Sequence, residues 1–334
     1  MKNINILVDG VGGDVAQGVI KALSRSILKL RIYKICAYHN SSWLHMDNDS
    51  YIAPLSVSDD YVPYLKNIIR KKNIDVFIPC VDSEIVKISH HKDDIEKSTG
   101  CIVAVDIFDK VEICDDKYKT FTFLKNHKLA TPMTIIPSSY EAITSIVSQC
   151  GFPLIAKNRR GQGSKDIQLI HTAAQAREFI GMETHVLQEY IHGGEEEYTA
   201  GIYLGEDKAV KGVCILQREL KGGATYRARR VINKSWEAQL SKIVKIIDMK
   251  YINIQFRLDG DNILPFEFNG RFSGTTGIIS KVFNAPDYYI REIFLGEEIN
   301  EVYNDEEFYV MRYYDEIYAS PAEVNSLINR SKTI

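Results

Sequence analysis

The sequence predicts two structural units, an α/β unit with a parallel sheet followed by an α+β unit with antiparallel sheets. Before Val111, short apolar strand patterns alternate with amphipathic helix patterns, as in parallel strands joined by crossover helices. After Val111, strand patterns dominate, and two of them flank a polar, glycine-containing loop as in a hairpin. The chain has 334 residues, which is enough for two or three domains.

The first unit is predicted from its periodicity. Apolar residues recur at helical spacing from 14 to 29, with Val15, Val19 and Ile27 on one face, which predicts a helix. A second helix is predicted at 60–72. Strands are predicted at residues 4–8, 31–38, 75–79 and 102–105. Helices and strands therefore alternate along this unit.

The second unit begins with two predicted helices, at 115–127 and 138–150, the latter with Ser138 as its cap. Residues 154–157 and 167–170 are predicted to form a hairpin. Further strands are predicted at residues 186–188, 197–204, 208–217, 251–259 and 263–269. The last ~35 residues, rich in tyrosine and acidic side chains, are expected to pack on the body as a tail.

Composition indicates an ordinary globular protein. Hydrophobic residues make up 45% of the chain and charged residues 25%, and the formal net charge is −3. Such a charge gives no overall positive field that would attract nucleic acid, although a local basic patch stays open. No apolar run approaches the ~20 residues of a membrane span. The six cysteines show no CxxC spacing, which favours reduced thiols in a cytoplasmic protein.

A lysine followed by a glycine-containing loop is the first candidate for nucleotide chemistry. Lys157 ends a predicted buried strand, and the loop after it contains Gly161, Gly163 and Ser164. Glycines allow positive φ, so such a loop can turn several N–H groups toward phosphate oxygens. The GK[ST] ending of a Walker A loop is absent. Taken alone, an ordinary hairpin loop explains this pattern better.

A polar segment between two strands is the second candidate. Residues 188–191 form an extended edge that can offer backbone groups to an adenine ring, and Glu197 can accept hydrogen bonds from ribose hydroxyls. The competing interpretation is a solvated acidic turn, which we prefer for Glu195 and Glu196.

The strand LPFEFNGR is the most informative segment. Glu267 and Asn269 are two residues apart, so they share one face, whereas Phe266 and Phe268 are expected to point into a core. Oxygen ligands on a rigid strand suit Mg²⁺. Gln255 on the preceding strand adds another candidate oxygen ligand. An ion-pairing strand without a metal is an equally good explanation of Glu267 and Asn269 taken alone.

Arginines add candidates for phosphate or substrate contact. Arg271 lies just beyond the metal strand and can hold a phosphoryl group in its planar fork. The basic stretch 217–230 contains Arg218 and Arg229, the best candidates there for an anionic substrate. A solvated basic hairpin explains that stretch equally well.

In their order along the chain, these segments resemble the ATP-grasp superfamily, and most closely its carbamoyl-phosphate-synthase-like members, over residues 1 to about 300. CDDKYK places Lys117 on the first nucleotide-binding basic position of the family, and FPLIAK places Lys157 on the second. RRGQGSKDI is similar to the glycine-rich lid loop, and IQFRLDG with PFEFNGRFSG is similar to the metal strands. LQEYIHGGEEEYT is similar to the adenine hinge, with Glu197 or Glu196 at the ribose. The residues that this hinge assigns to ATP are Gln188, Glu189, Tyr190, Ile191 and Glu197.

The resemblance implies a fold and a reaction. It implies a pre-ATP-grasp domain at 1–111, an ATP-grasp domain at 112–300 with a lid at 131–190, and a tail at 301–334. The cofactors would be ATP and two Mg²⁺ ions, with Mn²⁺ as an alternative metal. A small-molecule carboxylate would be phosphorylated by ATP and then joined to an amine, with release of ADP. A kinase or carbamoyl-phosphate-type synthase that stops at a phosphorylated product, and a non-catalytic ATP-binding regulator, are the competing functions. A homodimer is left open.

The resemblance also bears on the N-terminal part. Gly10, Gly12 and Gly13 are interpreted as turn glycines or as a wall of the acceptor site, because Val15 stands where a dinucleotide-binding GxGxxG motif needs glycine. The segment IPCVDSE resembles a family loop that ends at Glu84 and faces the cleft.

Overall fold

The computed structural model describes residues 3–161, 167–191, 196–302 and 304–334. Its N-terminal part is a five-stranded sheet in the order β3-β2-β1-β4-β5, with every neighbouring pair parallel. The strands are β1 (Ile4–Val8), β2 (Leu30–Cys36), β3 (Ser50–Ile52), β4 (Val76–Ile78) and β5 (Ile102–Val103). The helices that join them are α1 (Asp14–Leu23), α2 (Tyr61–Lys72) and α3 (Asp82–Thr99). The predicted α/β unit with a parallel sheet is confirmed.

Two helices of this part differ from the prediction. Helix α1 ends at Leu23 rather than at Lys29, and Ile27, which was placed on its apolar face, is 90% exposed. The backbone leaves the helix in tight turns that run from Ser24 to Ser26. Helix α3 was not predicted; it begins within the IPCVDSE segment.

The C-terminal part contains two antiparallel sheets, as predicted for the α+β unit. The smaller has the order β6-β9-β7-β8 and the larger has the order β14-β13-β10-β11-β12-β15. The strands of the smaller sheet are β6 (Thr134–Ile135), β7 (Leu154–Asn158), β8 (Gln168–Ile170) and β9 (His185–Glu189). Those of the larger sheet are β10 (Glu197–Leu204), β11 (Val210–Lys221), β12 (Ala224–Val231), β13 (Tyr251–Asp259), β14 (Asn262–Asn269) and β15 (Tyr309–Met311).

The C-terminal part contains eight α-helices in the described residues, and the boundary between the first two of them positions a residue of the site. They are α4 (Phe108–Asp115), α5 (Lys117–Asn126), α6 (Tyr140–Cys150), α7 (Ala173–Arg177), α8 (Lys234–Ile247), α9 (Thr276–Ile279), α10 (Ala285–Tyr289) and α11 (Pro321–Ser331). The predicted helix at 115–127 is divided at Asp116, which is extended and accepts hydrogen bonds from the backbone N–H groups of Tyr118 and Lys119. This N-cap places Lys117 on the first turn of α5. The cap of α6 is Ser139, not Ser138.

The last segment of the chain joins both parts. Strand β15 forms one edge of the larger sheet through pairing with β12. Helix α11 packs beside β3, where the Ser331 hydroxyl accepts a hydrogen bond from Ile52 N at 2.8 Å and Arg330 Nε donates to Ser50 O at 2.9 Å. The domain boundaries at 111/112 and 300/301 stay predictions.

All six cysteines are free, and five of them are buried. Within the described ranges, no helix has the length and apolar character needed to cross a membrane.

Candidate active site

Three oxygen-bearing side chains meet on one face of the larger sheet. Gln255 on β13 lies opposite Glu267 on β14, and Asn269 follows two residues later on the same face. Glu267 Oε1 accepts hydrogen bonds from Gln255 Nε2 at 3.2 Å and from Asn269 Nδ2 at 3.4 Å. The structure therefore brings together the three residues predicted to bind metal.

The expectation for Phe266 was wrong. On β13, Gln255 pairs with Glu267 of β14, but the next residue, Phe256, pairs with Pro265. Phe266 therefore has no partner on β13 and is the extra residue of a β-bulge. Phe268 is buried in the core, but Phe266 is only half-buried, and its ring centroid lies 5.2 Å from Lys157 Nζ. The bulge therefore turns Phe266 toward the cleft between the two antiparallel sheets.

Lys157 on β7 faces this cleft from the smaller sheet. Its side chain is buried, and its Nζ donates to Gln188 Oε1 at 2.8 Å, while Gln188 Nε2 donates to Thr134 Oγ1. Burial lowers the pKa of Lys157 to about 8, and the nearby Glu267 carboxylate opposes that shift. Lys157 is thus a cation held in a dry position close to the candidate metal cluster.

Lys117 reaches the same region from the first turn of α5. It is buried, and its Nζ donates to Gly161 O at 2.8 Å. Gly161 has a φ of 105°, which favours glycine, so the loop after Lys157 starts in a conformation other residues avoid. The predicted loop residues Gly163 and Ser164 lie outside the described residues.

The predicted adenine hinge follows strand β9. Glu189 accepts a hydrogen bond from Met133 N at 2.9 Å through its Oε2, so its side chain joins β9 to the segment before β6. Tyr190 and Ile191 are half-buried beyond that strand end. The side chain of Glu189 therefore has a structural contact, and the contact of residues 188–191 with adenine stays a prediction.

An arginine connects the ribose candidate with the metal candidates. Arg218 donates to Glu197 Oε1 through Nε at 3.0 Å and through Nη2, and its Nη2 also donates to Gln255 Oε1 at 2.6 Å. Glu196, in contrast, is exposed and accepts a hydrogen bond from Tyr198 OH at 2.7 Å. The geometry therefore places Glu197, rather than Glu196, beside the cluster.

Arg271 stands at the end of β14, above a cavity of about 310 Å³ that Gln255, Glu267 and Asn269 also line. Its guanidinium is buried, pairs with Asp82 and donates to Phe272 O at 2.8 Å. Asp82 is the first residue of α3, and it was not identified in the sequence. The signal for it was its position in the loop after strand β4, at an edge where residues from neighbouring strands meet.

The structure does not bring Arg229 into this cavity. Arg229 on β12 lies directly opposite Gln217 on β11, so these two side chains share a face of the sheet. Arg218 follows Gln217 and points to the other face, which is the face of the cavity. Arg229 is exposed, and it donates to Gln217 Oε1 at 2.8 Å and 3.2 Å. Substrate contact from this position is not supported by the geometry.

Glu84 is also turned away from the cleft. It is fully buried, and its Oε1 accepts hydrogen bonds from Cys80 N at 2.9 Å and Val81 N at 3.0 Å. Its other oxygen accepts a hydrogen bond from Tyr61 OH. Burial, together with the nearby carboxylate of Asp9, raises the pKa of Glu84 well above its usual range. Glu84 therefore caps α3 from inside the N-terminal part.

Comparison with known proteins agrees with this geometry. Residues 114–275 match the model of the ATP-grasp domain family. The carbamoyl phosphate synthase large chain of Caldanaerobacter subterraneus subsp. tengcongensis is 25% identical over 212 residues, which are 58% of this chain and 20% of that protein. The chain thus spans about a fifth of that relative, and 39% of the carbamoyl-phosphate synthase of Methanobrevibacter smithii.

Solved structures show the same fold. N5-carboxyaminoimidazole synthetase from Staphylococcus aureus, complexed with ADP, superposes with a TM-score of 0.73 at 15% identity, over 94% of this chain and 83% of that one. The biotin carboxylase domain of Hydrogenobacter thermophilus 2-oxoglutarate carboxylase superposes with a TM-score of 0.67 at 13% identity, over 89% and 71%. The chain therefore contains an ATP-grasp domain, at residues 114–275, and is related in sequence to carbamoyl phosphate synthase large chains.

Proposed function

We propose that this protein binds Mg-ATP in the cleft between its two antiparallel sheets and is an ATP-dependent carboxylate–amine ligase. The observation that carries the proposal is the convergence of Lys157 and Arg218 on the Gln255, Glu267 and Asn269 cluster, within an ATP-grasp domain. Cations and oxygen ligands that face one cleft are what a metal-bound triphosphate needs. ADP is bound in the similar S. aureus enzyme.

The chemistry of the donor set fits Mg²⁺. The described residues contain no group of three or more His, Cys, Asp or Glu side chains placed for a metal ion, so a transition-metal site is not favoured there. Instead, the half-buried carboxylate of Glu267 has two amides at hydrogen-bond distance, and each amide can present its oxygen after a rotation. Glu267, Asn269 and Gln255 would hold Mg²⁺, which would neutralise charge on the terminal phosphates.

The side chains around this set have distinct tasks in the proposed reaction. Lys157 and Lys117 neutralise the phosphates, and Glu197 accepts hydrogen bonds from the ribose hydroxyls. Arg271 orients the phosphoryl group while a substrate carboxylate attacks the γ-phosphorus in line, which gives an acyl phosphate and ADP. An amine then displaces phosphate to form the amide. Water has to be kept away from the acyl phosphate during this step, because it would hydrolyse that intermediate.

The substrate pair is tested by ADP release. Purified protein with Mg-ATP is assayed against a panel of amino acids, sugar acids and peptides as carboxylates, each with and without an amine. We expect ADP formation that requires one carboxylate and that rises further with one amine. Carboxylate-independent ADP formation driven by a hydroxyl compound would favour a kinase instead. The absence of any turnover, together with ATP binding, would favour a non-catalytic regulator.

Arg218 on β11 and Arg229 on β12 provide a matched test of the site, because they lie close together in the sheet but on opposite faces. Arg218→Met removes the guanidinium that joins Glu197 to Gln255, so kcat/KM for ATP should fall at least about tenfold. Arg229→Met changes a similar side chain on the opposite face and should leave kcat/KM within about twofold. Steady-state kinetics with ATP as the varied substrate measure both. Equal losses in the two variants would contradict the placement of the cleft.

A further inference from the structure

A second cavity, of about 320 Å³, lies beside strands β11 and β12 of the larger sheet. Its walls are the start of β11, the end of β12, one side of α8 and the residues Glu301, Val302 and Asn304. It shares no lining residue with the cavity at Glu267. Nothing in the proposed reaction uses this cavity, so its charges need a separate explanation.

Arg230 is the buried charge of this second cavity. Its side chain is only 4% exposed. Its Nη1 donates to Asn304 Oδ1 at 3.1 Å and to Glu306 O at 2.7 Å, and its Nη2 donates to Asn304 O. All three acceptors are neutral. In the part of the chain that the structure describes, no carboxylate lies within 4.0 Å of this guanidinium, and its Nε has no hydrogen-bond partner.

A buried cation with neutral partners alone is unfavourable. The unused Nε–H also carries a desolvation penalty until an acceptor reaches it. An anion in the cavity that Arg230 lines would offset the cost of the buried positive charge. The arrangement is therefore one that binds negative charge.

Lysines add to the positive charge at this cavity. Lys211, Lys234 and Lys245 line it together with Arg230, whereas Glu237 and Glu301 are the two carboxylates among the lining residues. Lys211 pairs with Asp207 at 2.6 Å, and Lys234 pairs with Glu237 at 3.0 Å and with Asp305 at 3.8 Å. Lys245 is exposed, and no ion pair of Lys245 is found among the described residues. Four cationic side chains thus line the cavity against two carboxylates, and Arg230 and Lys245 are the cations for which no ion pair is found among the described residues.

We infer that this second cavity is a binding site for a small phosphate-bearing anion. Its volume is at the low end for small-molecule sites and is sufficient for a phosphorylated metabolite. Arg230 supplies a buried positive charge at the wall, and the candidate hydrogen-bond donors are the lysine ammonium groups and the hydroxyl of Ser241, which also lines the cavity. Arg230 lies opposite Leu216 on β11, two residues before Arg218, so the bound anion would sit beside a strand that carries a residue of the catalytic cleft.

The test is a calorimetric titration of the purified chain with inorganic phosphate. Arg230 also holds residues 304 and 306, so replacing it can unfold that segment. Exposed lysines of α8 avoid this difficulty. The Lys234→Glu, Lys245→Glu double variant changes two lining residues, and Lys242→Glu changes an exposed lysine of the same helix that does not line the cavity.

We expect saturable phosphate binding that the double variant weakens at least tenfold and that Lys242→Glu leaves within twofold of the unmodified chain. Thermal unfolding of each variant checks that the fold is retained. The inference is overturned if the unmodified chain shows no saturable binding at millimolar phosphate. It is also overturned if the double variant and Lys242→Glu bind phosphate equally well, because the anion would then bind elsewhere, for instance in the cleft at Glu267.

Discussion

Replacing Glu267 with alanine is expected to abolish ADP formation, with a loss on the order of 10³-fold or more in kcat. Glu267 is the carboxylate in the Gln255, Glu267 and Asn269 cluster, so the variant removes the negative charge that would hold Mg²⁺ against the phosphates. Its partners are two amides that can turn to water, so the fold should survive. The measurement is ADP formation at saturating Mg²⁺, with thermal unfolding as the check of the fold.

A matched control comes from the same hairpin. Asp261 is an exposed carboxylate in the turn between β13 and β14, away from the cleft, and Asp261→Ala should retain unmodified turnover. Glu267→Gln keeps the size of the side chain and removes its charge, so it should be as inactive as Glu267→Ala. Unmodified ADP formation by either Glu267 variant at saturating Mg²⁺ would show that the metal assignment is wrong.

Replacing Lys157 with alanine is expected to lower kcat/KM for ATP by roughly 10²–10³-fold, as expected for the loss of one preorganised charge-stabilising group. The ammonium is buried beside Gln188 and Phe266, where it is already desolvated and fixed. Such a charge interacts more strongly with phosphates than a solvated one. Steady-state kinetics with ATP as the varied substrate measure the loss. A loss below about tenfold would contradict the role of Lys157 at the phosphates.

The pH dependence of kcat/KM for ATP provides a second test of the role of Lys157. Because burial lowers its pKa to about 8, the free protein loses this charge as the pH rises through 8. We therefore expect kcat/KM for ATP to fall above pH 8, while kcat falls only at higher pH, since bound phosphates raise the pKa of Lys157 again. Lys157→Arg stays charged and should lack the fall near pH 8, even if it is slower overall. The same fall in Lys157→Arg would assign that pKa to another group.

Much of the fold followed from the sequence because periodicity depends on local residues. The parallel and antiparallel units are both present, and strands β1, β10 and β13 have the predicted bounds. The side chains of Glu267 and Asn269 share a face because they alternate along one strand. The local alternation and periodicity of residues were sufficient to predict these features.

The errors arose where distant parts of the chain decide the outcome. Phe266 faces the cleft because a bulge, set by the pairing of β13 with β14, interrupts the alternation that a single strand predicts. Arg229 and Arg218 lie on opposite faces because β12 and β11 pair in a register that the sequence of either strand does not reveal. Asp82 approaches Arg271 across 189 residues of sequence, and no local spacing indicates that contact.

The trapping of an acyl phosphate tests the central claim most directly. An acyl phosphate is electrophilic at its carbonyl carbon, so hydroxylamine should intercept it as a hydroxamate when the correct carboxylate is present. The cations and oxygen ligands of the cleft, Lys157, Glu267 and Arg271 among them, are assigned to the terminal phosphates, so the nucleotide product should be ADP. The account predicts hydroxamate and ADP in equal amounts, and neither product from Glu267→Ala. Formation of AMP and pyrophosphate would contradict it.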